Sequence, residues 1–177
     1  MYRERMETLK EWKVSKNRKP LIIRGARQVG KTWLMKEFGK LYYEKCAYIN
    51  FDNNSRMDIL FNEEFDLDRI IQGLKIESGI NIEPENTLII FDEIQETPNA
   101  LKALKYFYEN ANEYHIVAAG SLLGVAMHQG TSFPVGKVNF MDLMPLSFFE
   151  FLDALGQEHL LNLLKNNEFD MISVFNN

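Results

Sequence analysis

The 177-residue sequence has little of what secreted and membrane-bound domains depend on. Its single cysteine, Cys46, cannot form an internal disulfide, and its place in an apolar segment predicts a buried, inert thiol. No apolar run approaches the roughly 18 residues of a membrane span. Three of the first five residues are charged, where a signal peptide would lead into an apolar stretch. We therefore expect a cytoplasmic protein with no membrane contact.

Histidine is also scarce: only His115, His128 and His159 are present, and they are scattered. Together with one cysteine they give no zinc-binding spacing and no set of nucleophile, base and orienting group. This argues against a zinc site and against a hydrolase that uses a nucleophilic side chain. His115 falls at the amino-terminal end of a predicted strand, and we interpret it as a core or edge histidine.

Arginine is absent after Arg69, and positive charge is concentrated at the start of the chain. Residues 1–36 hold eleven Lys and Arg and three Glu, a net charge of +8, whereas the remainder carries −13 of the total of −5. Attraction for a phosphate-bearing ligand explains part of this excess, and a nucleic-acid contact and a solvated helix face are alternatives. The acidic remainder argues against a broad duplex-binding surface.

The remaining composition, 46% hydrophobic and 25% charged, is that of one ordinary globular domain. Apolar periodicity predicts alternating strands and helices, as in an α/β fold. Strands are predicted at 21–24, 46–51, 87–93, 114–119 and 137–143, and helices at 2–13, 31–40, 67–78, from Pro98 onward, 147–156 and 157–166. A turn cluster is predicted at 52–55, a surface loop at 130–136, and helix caps at Asp66, Thr97 and Ser147, the last with Glu150 in a capping box.

A glycine-rich loop is the strongest motif. Residues 24–32, RGARQVGKT, fill the pattern G-x-x-x-x-G-K-[ST] directly after the apolar run 21–23. In such a loop, backbone N–H groups and the start of the following helix surround a di- or triphosphate. We expect Lys31 to reach the β- and γ-phosphates and Thr32 to bind Mg²⁺. The predicted nucleotide-binding residues are Gly25, Ala26, Arg27, Gln28, Val29, Gly30, Lys31, Thr32 and Trp33.

An apolar strand that ends in two acids is the second motif. Residues 87–93, TLIIFDE, are typical of a strand buried on both faces that emerges at its carboxyl end. Ligands of open α/β sheets bind at that edge. We predict that Asp92 holds the magnesium shell through water, opposite Thr32, and that Glu93 orients and polarises an attacking water.

A serine follows the next predicted strand. Ser121 comes directly after residues 114–120, at the same edge of the expected sheet. This position favours a polar sensor of the γ-phosphate or of the attacking water, and a turn or cap serine is the alternative. The predicted catalytic residues are therefore Glu93, Lys31 and Ser121.

Four segments together resemble a known family: RGARQVGKT at 24–32, FDEIQETP at 91–98, GSLLG at 120–124, and FPVGKVNF with MPLSFFEFL within 133–152. The chain resembles the prokaryotic AAA+-superfamily ATPases that carry a C-terminal nuclease-like domain of unknown function. The resemblance implies a three-layer P-loop NTPase fold of the ASCE type, with Walker A and Walker B motifs and ATP and Mg²⁺ as cofactors. It implies a parallel sheet of about five strands, in the order 5-1-4-3-2. Some AAA+ proteins restrain the catalytic glutamate from the position that Asn50 occupies here.

The same resemblance suggests how the chain is organised. Residues 1–19 form a lead-in helix, 20–146 the ATPase core, and 147–177 a helical segment that begins a truncated C-terminal part. AAA+ hydrolysis usually needs an arginine finger, worth about 10³ to 10⁵ in rate, and no late arginine is present. Binding without efficient turnover is therefore expected of this chain alone, with Arg24 and Arg27 as partial substitutes.

The leading functional interpretation is Mg-dependent ATP hydrolysis coupled to a C-terminal or partner domain. A nucleotide-responsive binding module with little turnover is the alternative. A small-molecule kinase would need lid arginines that the second half lacks. A GTPase is disfavoured because no N-K-x-D motif exists and the only late D-x-x-G, residues 153–156, lies in a predicted helix.

Overall fold

The computed structural model describes residues 3–62, 65–120, 134 and 136–166. Ser121, most of the predicted 130–136 loop and the start of the predicted lead-in helix lie outside the described residues. The helices are α1 (Arg5–Val14), α2 (Lys31–Tyr42), α3 (Ser55–Asn62), α4 (Leu67–Ser78), α5 (Pro98–Asn110), α6 (Phe148–Ala154) and α7 (Glu158–Lys165), with a 3₁₀ turn at Ile94–Glu96. The strands are β1 (Leu21–Arg24), β2 (Lys45–Asn50), β3 (Thr87–Asp92), β4 (His115–Ala119) and β5 (Asn139–Asp142).

The five strands form one all-parallel sheet in the order β2-β3-β4-β1-β5. Read from the other edge this is the predicted order 5-1-4-3-2, so the expected α/β topology is confirmed. Asn50 pairs with Asp92, and Asp92 pairs with Ala119, so β2, β3 and β4 finish level with one another. The polar ends of these strands therefore lie on one edge of the sheet.

Helices cover both faces of the sheet, which gives the three layers expected. One core contains Ile89 and Phe91 of β3, together with residues of α3, α4 and α5. The other contains Leu88 and Ile90 of β3, together with residues of α1 and α2. Since alternate residues of a strand face opposite sides, an apolar residue at every position is what a strand with two covered faces requires.

The lead-in helix packs into the second of these cores. Met6, Leu9 and Trp12 are its buried residues, at the predicted helical spacing. The following helix α2 buries Leu34, Met35 and Phe38 as predicted, and it continues two residues beyond the expected end at residue 40. Tyr42, in this added turn, packs on Phe38 with ring centroids 5.4 Å apart.

Helix α3 is absent from the sequence-based prediction, which has only a turn before the next helix. It is one short helix in which Met57 and Phe61 are fully buried, and two apolar contacts in eight residues give a weak periodic signal. Its partner is found only in the fold: Thr97 stands at the predicted cap position of α5, but its hydroxyl donates to Asp58 Oδ1 of α3 at 2.6 Å and makes no capping bond.

The other two predicted caps are present. Asp66 accepts hydrogen bonds from the backbone N–H groups of Asp68 and Arg69 at the start of α4. Ser147 and Glu150 form the predicted capping box of α6. Within the described ranges, no helix is long and apolar enough to cross a membrane.

Candidate nucleotide site at the carboxyl edge of the sheet

The loop between β1 and α2 has a backbone that its two glycines permit. A Cβ atom at Gly25 would lie 2.3 Å from the carbonyl oxygen of Leu143, so the chain passes too close to the end of β5 for any side chain. Gly30 has φ of 92°, in the left-handed region that glycine adopts without strain. Gln28, between them, also has a positive φ of 64°. The loop thus turns its backbone toward the start of α2.

Lys31 is a buried cation whose ammonium group faces neutral acceptors. Its side chain is 7% exposed, and Nζ donates to the carbonyl oxygens of Gly25 at 3.0 Å and Ala26 at 2.7 Å. Burial lowers its pKa, opposed by the negative charges of Glu93 and Asp92. A hydrogen bond between an ion and an anionic acceptor is about twice as strong as one between neutral groups, so an anion entering the loop would be a better partner than these carbonyls.

Asp92 accepts two hydroxyl groups on one carboxylate oxygen. Thr32 Oγ1 donates to Oδ2 at 2.7 Å and the Tyr48 hydroxyl donates to the same atom at 2.9 Å. Asp92 is 5% exposed, and burial together with the hydrogen bond to Asp92 raises the pKa of Tyr48, which keeps that hydroxyl protonated. The predicted pairing of the loop threonine with the first acid is therefore a direct contact.

Glu93 follows the strand in a left-handed conformation, with φ of 53° and ψ of 42°. Gln95 Nε2 donates to Glu93 Oε2 at 2.7 Å and also reaches Glu96 Oε1 at 3.2 Å. The side-chain oxygen of Gln95, Oε1, is buried without a hydrogen-bond partner. Left-handed non-glycine residues and orphaned acceptors both cost free energy, and such features concentrate at functional sites.

A cleft of about 620 Å³ lies over the loop. It is lined by Arg27, Gln28, Gly30, Lys31, Thr32, Trp33, Asp52, Glu93, Gln95 and Glu96. The cleft therefore brings six of the predicted loop residues together with Glu93. Four other predicted residues do not line it: Gly25, Ala26, Val29 and Asp92. The lining thus includes the lysine and threonine of the loop together with the second acid.

The two arginines of the loop have different surroundings. Arg24 forms a two-pronged bond to Asp142, with Nε and one terminal nitrogen at 2.9 and 2.8 Å from the two carboxylate oxygens. Its guanidinium also lies 4.6 Å from the centre of the Phe140 ring. Arg27 lines the cleft instead, so it is the better placed of the two to meet a ligand.

Asn50, at the end of β2, makes a local contact through the oxygen of its side chain, and the restraint of Glu93 from this position stays a prediction. That oxygen accepts a hydrogen bond from the backbone N–H of Asp52 at 3.1 Å. The amide of Gln95, in the turn that follows β3, contacts the Glu93 carboxylate. The residue was visible in the run FDEIQ, but nothing in the sequence distinguishes it from an ordinary surface glutamine.

Arg3 is a further residue that sequence reasoning did not find. Its guanidinium donates to the carbonyl of Val29 at 3.2 Å, within the glycine-rich loop, and to that of Met144 at 2.8 Å. Its Nε lies 3.1 Å from Glu150 Oε1, and the two side chains are 4% and 7% exposed. A buried ion pair thus supports the loop from behind, between the start of the chain and α6.

His115 has the structural surroundings that were expected, whereas Cys46, which was predicted to be buried, is only half-buried. His115 is 4% exposed on β4, an inner strand, so it is a core histidine and the edge alternative is wrong. Its Nδ1 lies 2.7 Å from the Tyr43 hydroxyl. Burial raises the pKa of the Cys46 thiol, with a smaller opposing effect from Lys36.

The residues present fit a magnesium nucleotide better than a protein-held metal. Among the described residues, no group of three or more His, Cys, Asp and Glu could hold a metal ion. Magnesium in nucleotide sites is bound by phosphate oxygens, waters and one or two protein oxygens. The Thr32 hydroxyl, which donates to the buried carboxylate of Asp92 and follows Lys31 in the chain, offers a protein oxygen of that kind.

Five parallel strands in this order, a glycine-rich loop that joins β1 to α2 and an acid pair at the end of β3 define the class of P-loop nucleoside triphosphatases. Within that class the chain belongs to the family described as AAA domain, whose sequence profile matches residues 17–152. It is an ATPase domain of the AAA+ superfamily. The narrower likeness, to relatives with a C-terminal nuclease-like domain, stays a prediction.

Solved structures with this fold are distant in sequence. A Walker-type ATPase of Pyrococcus abyssi is 18% identical with a TM-score of 0.54, covering 88% of this chain and 58% of its own. Drosophila ORC bound to DNA is 18% identical with a TM-score of 0.58, covering 86% and 45%. The Aeropyrum pernix ORC1 protein in complex with DNA is 15% identical with a TM-score of 0.50, covering 89% and 50%.

The chain spans about half the length of these structures, between 45% and 58%. At such low identity the likeness shows the fold alone. No curated protein sequence matches the chain.

Proposed function

We propose that this chain binds ATP with Mg²⁺ at the glycine-rich loop and hydrolyses the γ-phosphate when a partner completes the site. One observation carries the proposal: Lys31, Thr32 and Glu93 converge on a single cleft of about 620 Å³, with Asp92 directly behind Thr32. Hydrolysis of a phosphoanhydride needs these three elements, a cation for the phosphates, a metal site and a group for the attacking water.

Phosphate binding falls to Lys31 and the loop backbone. The ammonium group of Lys31 would exchange the carbonyls of Gly25 and Ala26 for the β- and γ-phosphates. The exchange is favourable because a buried cation gains an anionic acceptor in place of two neutral ones. The start of α2 adds its backbone N–H groups and the positive end of its dipole.

Thr32 and Asp92 are the residues that would hold the metal. The hydroxyl oxygen of Thr32 would be a direct ligand, and Asp92 would act through water. Bound magnesium would supply positive charge that offsets the negative charge developing on the phosphates.

The attacking water falls to Glu93. Its carboxylate lines the cleft, and the amide of Gln95 fixes one of its two oxygens. The carboxylate would accept a proton from the attacking water, as in other sites where a base is oriented by a third group. Ser121, outside the described residues, remains the proposed sensor of the γ-phosphate.

An arginine from outside this chain's second half must complete the site for efficient turnover. No arginine follows Arg69, and an arginine finger contributes about 10³ to 10⁵ in rate. We therefore propose that hydrolysis is coupled to a further domain or partner protein, and that this chain alone turns ATP over slowly.

A nucleotide-responsive switch is the second candidate, and the Gln95 contact favours it. A glutamate held by a neighbouring amide, in a chain short of arginine, is consistent with a site that changes conformation on binding without hydrolysis. In this case ATP would order the loop and its surroundings, and turnover would be incidental.

Nucleic acid is a weaker candidate partner. The DNA in the two ORC structures belongs to those proteins. In this chain several early cations make intramolecular contacts: Arg3 is buried, Lys13 and Arg18 donate to the carbonyls of Tyr42 and Asn112, and Lys19 donates to that of Gly136 at 2.7 Å. These contacts leave less of the basic segment available for phosphates than its net charge suggests.

Thermal unfolding with and without Mg-ATP, Mg-GTP and Mg-ADP tests the nucleotide site. A ligand at 100 times its dissociation constant adds about 2.7 kcal/mol, which raises the Tm by roughly 5–10 °C for a domain of this size. Lys31→Ala should lose that rise. An unchanged Tm with every nucleotide would overturn the proposal, and an equal rise with GTP would remove the preference for ATP.

Glu93→Gln separates the ATPase from the switch. In an ATPase this variant loses turnover while it retains ATP affinity within about twofold, because a neutral amide accepts a proton poorly. A pure switch loses nothing, since it has no turnover to lose. Phosphate release should be measured on the chain alone and with a candidate partner that supplies an arginine.

A further inference from the structure

The carboxylate of Asp92 is held by two hydroxyl groups rather than by one. Thr32 and Tyr48 both donate to Oδ2, at 2.7 and 2.9 Å. Because Asp92 is 5% exposed, protein groups rather than solvent set the orientation of this carboxylate. The Tyr48 contact is the one that no motif accounts for.

The register of the sheet explains why Tyr48 reaches Asp92. On β2 and β3, Tyr48 lies opposite Ile90, and Asn50 lies opposite Asp92. Residues two apart on a strand share a face, so Tyr48 and Asp92 are diagonal neighbours across the two strands. A tyrosine is long enough to span this diagonal with its hydroxyl, and a smaller polar residue is not.

The ring of Tyr48 is also fixed from the side of α2. Nζ of Lys36 lies 3.6 Å from the centre of the ring. Lys36 stands one helical turn after Thr32, so the tyrosine bridges the helix that carries the loop threonine and the strand that carries the acid. A cation over an aromatic face is attracted to it, and this contact stabilises the placement of the ring.

We infer that Tyr48 is a positioning residue for magnesium: it holds the Asp92 carboxylate in the orientation from which this acid serves the metal of a bound nucleotide. The inference rests on the proposed function. Thr32 has a second task there, because its hydroxyl oxygen is the expected metal ligand, whereas the Tyr48 hydroxyl only orients the acid. Groups that orient metal ligands in this way contribute about 10–100-fold to metal affinity.

The test compares the affinity for a non-hydrolysable ATP analogue in excess Mg²⁺ with the affinity in EDTA. Trp33 lines the cleft and serves as the fluorescent reporter, and calorimetry is the independent measurement. The quantity of interest is the dissociation constant in EDTA divided by that in Mg²⁺, because this ratio isolates the contribution of the metal to binding. Tyr48→Phe should lower this ratio by about 10-fold or more and leave the dissociation constant in EDTA within about twofold.

Tyr43→Phe is the matched control. It removes the hydroxyl of another partly buried tyrosine, which is bonded to His115 and not to the acid. Both variants keep the aromatic ring, so the packing is preserved in each. The control should leave the magnesium ratio unchanged while the protein loses some stability.

The outcomes separate the inference from the proposed function. If the unmodified chain binds no nucleotide in either condition, the proposed function fails and the inference with it. If it binds with a magnesium-dependent affinity that Tyr48→Phe does not change, the function stands and the inference is overturned. Equal weakening with and without Mg²⁺ also overturns it, because that would be support of the whole loop rather than of the metal site.

Discussion

The two ends of the same sheet both bury polar side chains, but they treat them differently. At the amino end, His115 is paired with the Tyr43 hydroxyl. At the carboxyl end, Lys31 is bonded to carbonyls of its own loop, and Gln95 keeps a buried oxygen without a partner. At the amino end, folding alone gives the buried polar groups their partners. At the carboxyl end, a ligand can replace the present contacts with stronger ones.

Aromatic packing closes the amino end. The His115 ring lies 5.4 Å from that of Tyr43 and 6.1 Å from that of Trp12, both in edge-to-face geometry. Trp12 Nε1 donates to the Lys19 carbonyl at 2.7 Å. Polar atoms that are buried here are satisfied by fixed protein partners, which is what a structural cluster needs.

Left-handed non-glycine residues are more frequent at the carboxyl end, with Gln28, Asn53 and Glu93, than at the amino end, with Glu85. Gln28 and Glu93, both in or beside the cleft, have φ of 64° and 53°. Such conformations cost of order 1 kcal/mol or more and persist only where the surroundings enforce them. Burial of a titratable group is therefore not itself a sign of function. A buried polar group whose hydrogen-bond partner is missing or replaceable is a better sign.

The largest effect is expected at the buried ion pair that anchors the carboxyl end. Arg3→Met leaves the 7% exposed Glu150 without its cation, and loss of one partner of a buried pair costs about 3–5 kcal/mol. Urea denaturation measures this loss. Arg3→Met/Glu150→Leu should recover part of it, and a loss below about 1 kcal/mol in the single variant would show that the pair does not anchor this end.

The amino end should respond to acid through His115. Burial lowers the pKa of His115 to about 4, from an ordinary value of 6.5, and the nearby charges of Arg18 and Lys13 act in the same direction. The stability that this neutral histidine allows is complete above pH 6.5 and is lost as the pH falls toward 4, by up to about 3 kcal/mol. His115→Leu should lack this component, so the free energy of unfolding of the two proteins should converge as the pH falls. Parallel curves would contradict a buried neutral histidine.

A smaller loss is expected from Tyr43→Phe. The variant keeps the rings packed but leaves the His115 Nδ1 without its 2.7 Å partner, at a cost of about 1–2 kcal/mol. Chemical denaturation gives the stability, and nucleotide affinity should be unaltered. A changed affinity would mean that the two ends are coupled through the sheet.

The smallest effect on stability is expected from a change at Gln95, and it tests most directly whether the two ends of the sheet differ. Gln95→Met removes a buried orphan oxygen at the carboxyl end, but it also removes the amide hydrogen bonds to Glu93 and Glu96. These two effects oppose each other, so the free energy of unfolding should change by less than about 1 kcal/mol. The same variant removes the amide that holds Glu93, and any turnover should fall while ATP affinity is retained. A clear loss of stability would show that the polar contacts at the carboxyl end contribute to folding as much as those at the amino end.

Local signals account for the parts that sequence reasoning predicted. The glycine-rich loop, the strand at 87–92 and the capping box at Ser147 each depend on residues within a few positions of one another. Helix α3 was missed because eight residues with two buried side chains carry too little periodicity. The hydroxyl of Thr97 was misjudged because its acceptor, Asp58, lies 39 residues away.

The sequence is enough to predict the α/β class, the order of the elements and the position of the phosphate loop, because backbone hydrogen bonding and apolar periodicity are local. The residues that contact and surround that loop are known only from the tertiary structure. Arg3 meets Val29 across 26 residues, Tyr48 meets Asp92 across 44, and Glu4 meets Glu150 across 146. Contacts of this kind follow from strand register and helix packing over the whole sheet, and no short segment encodes them.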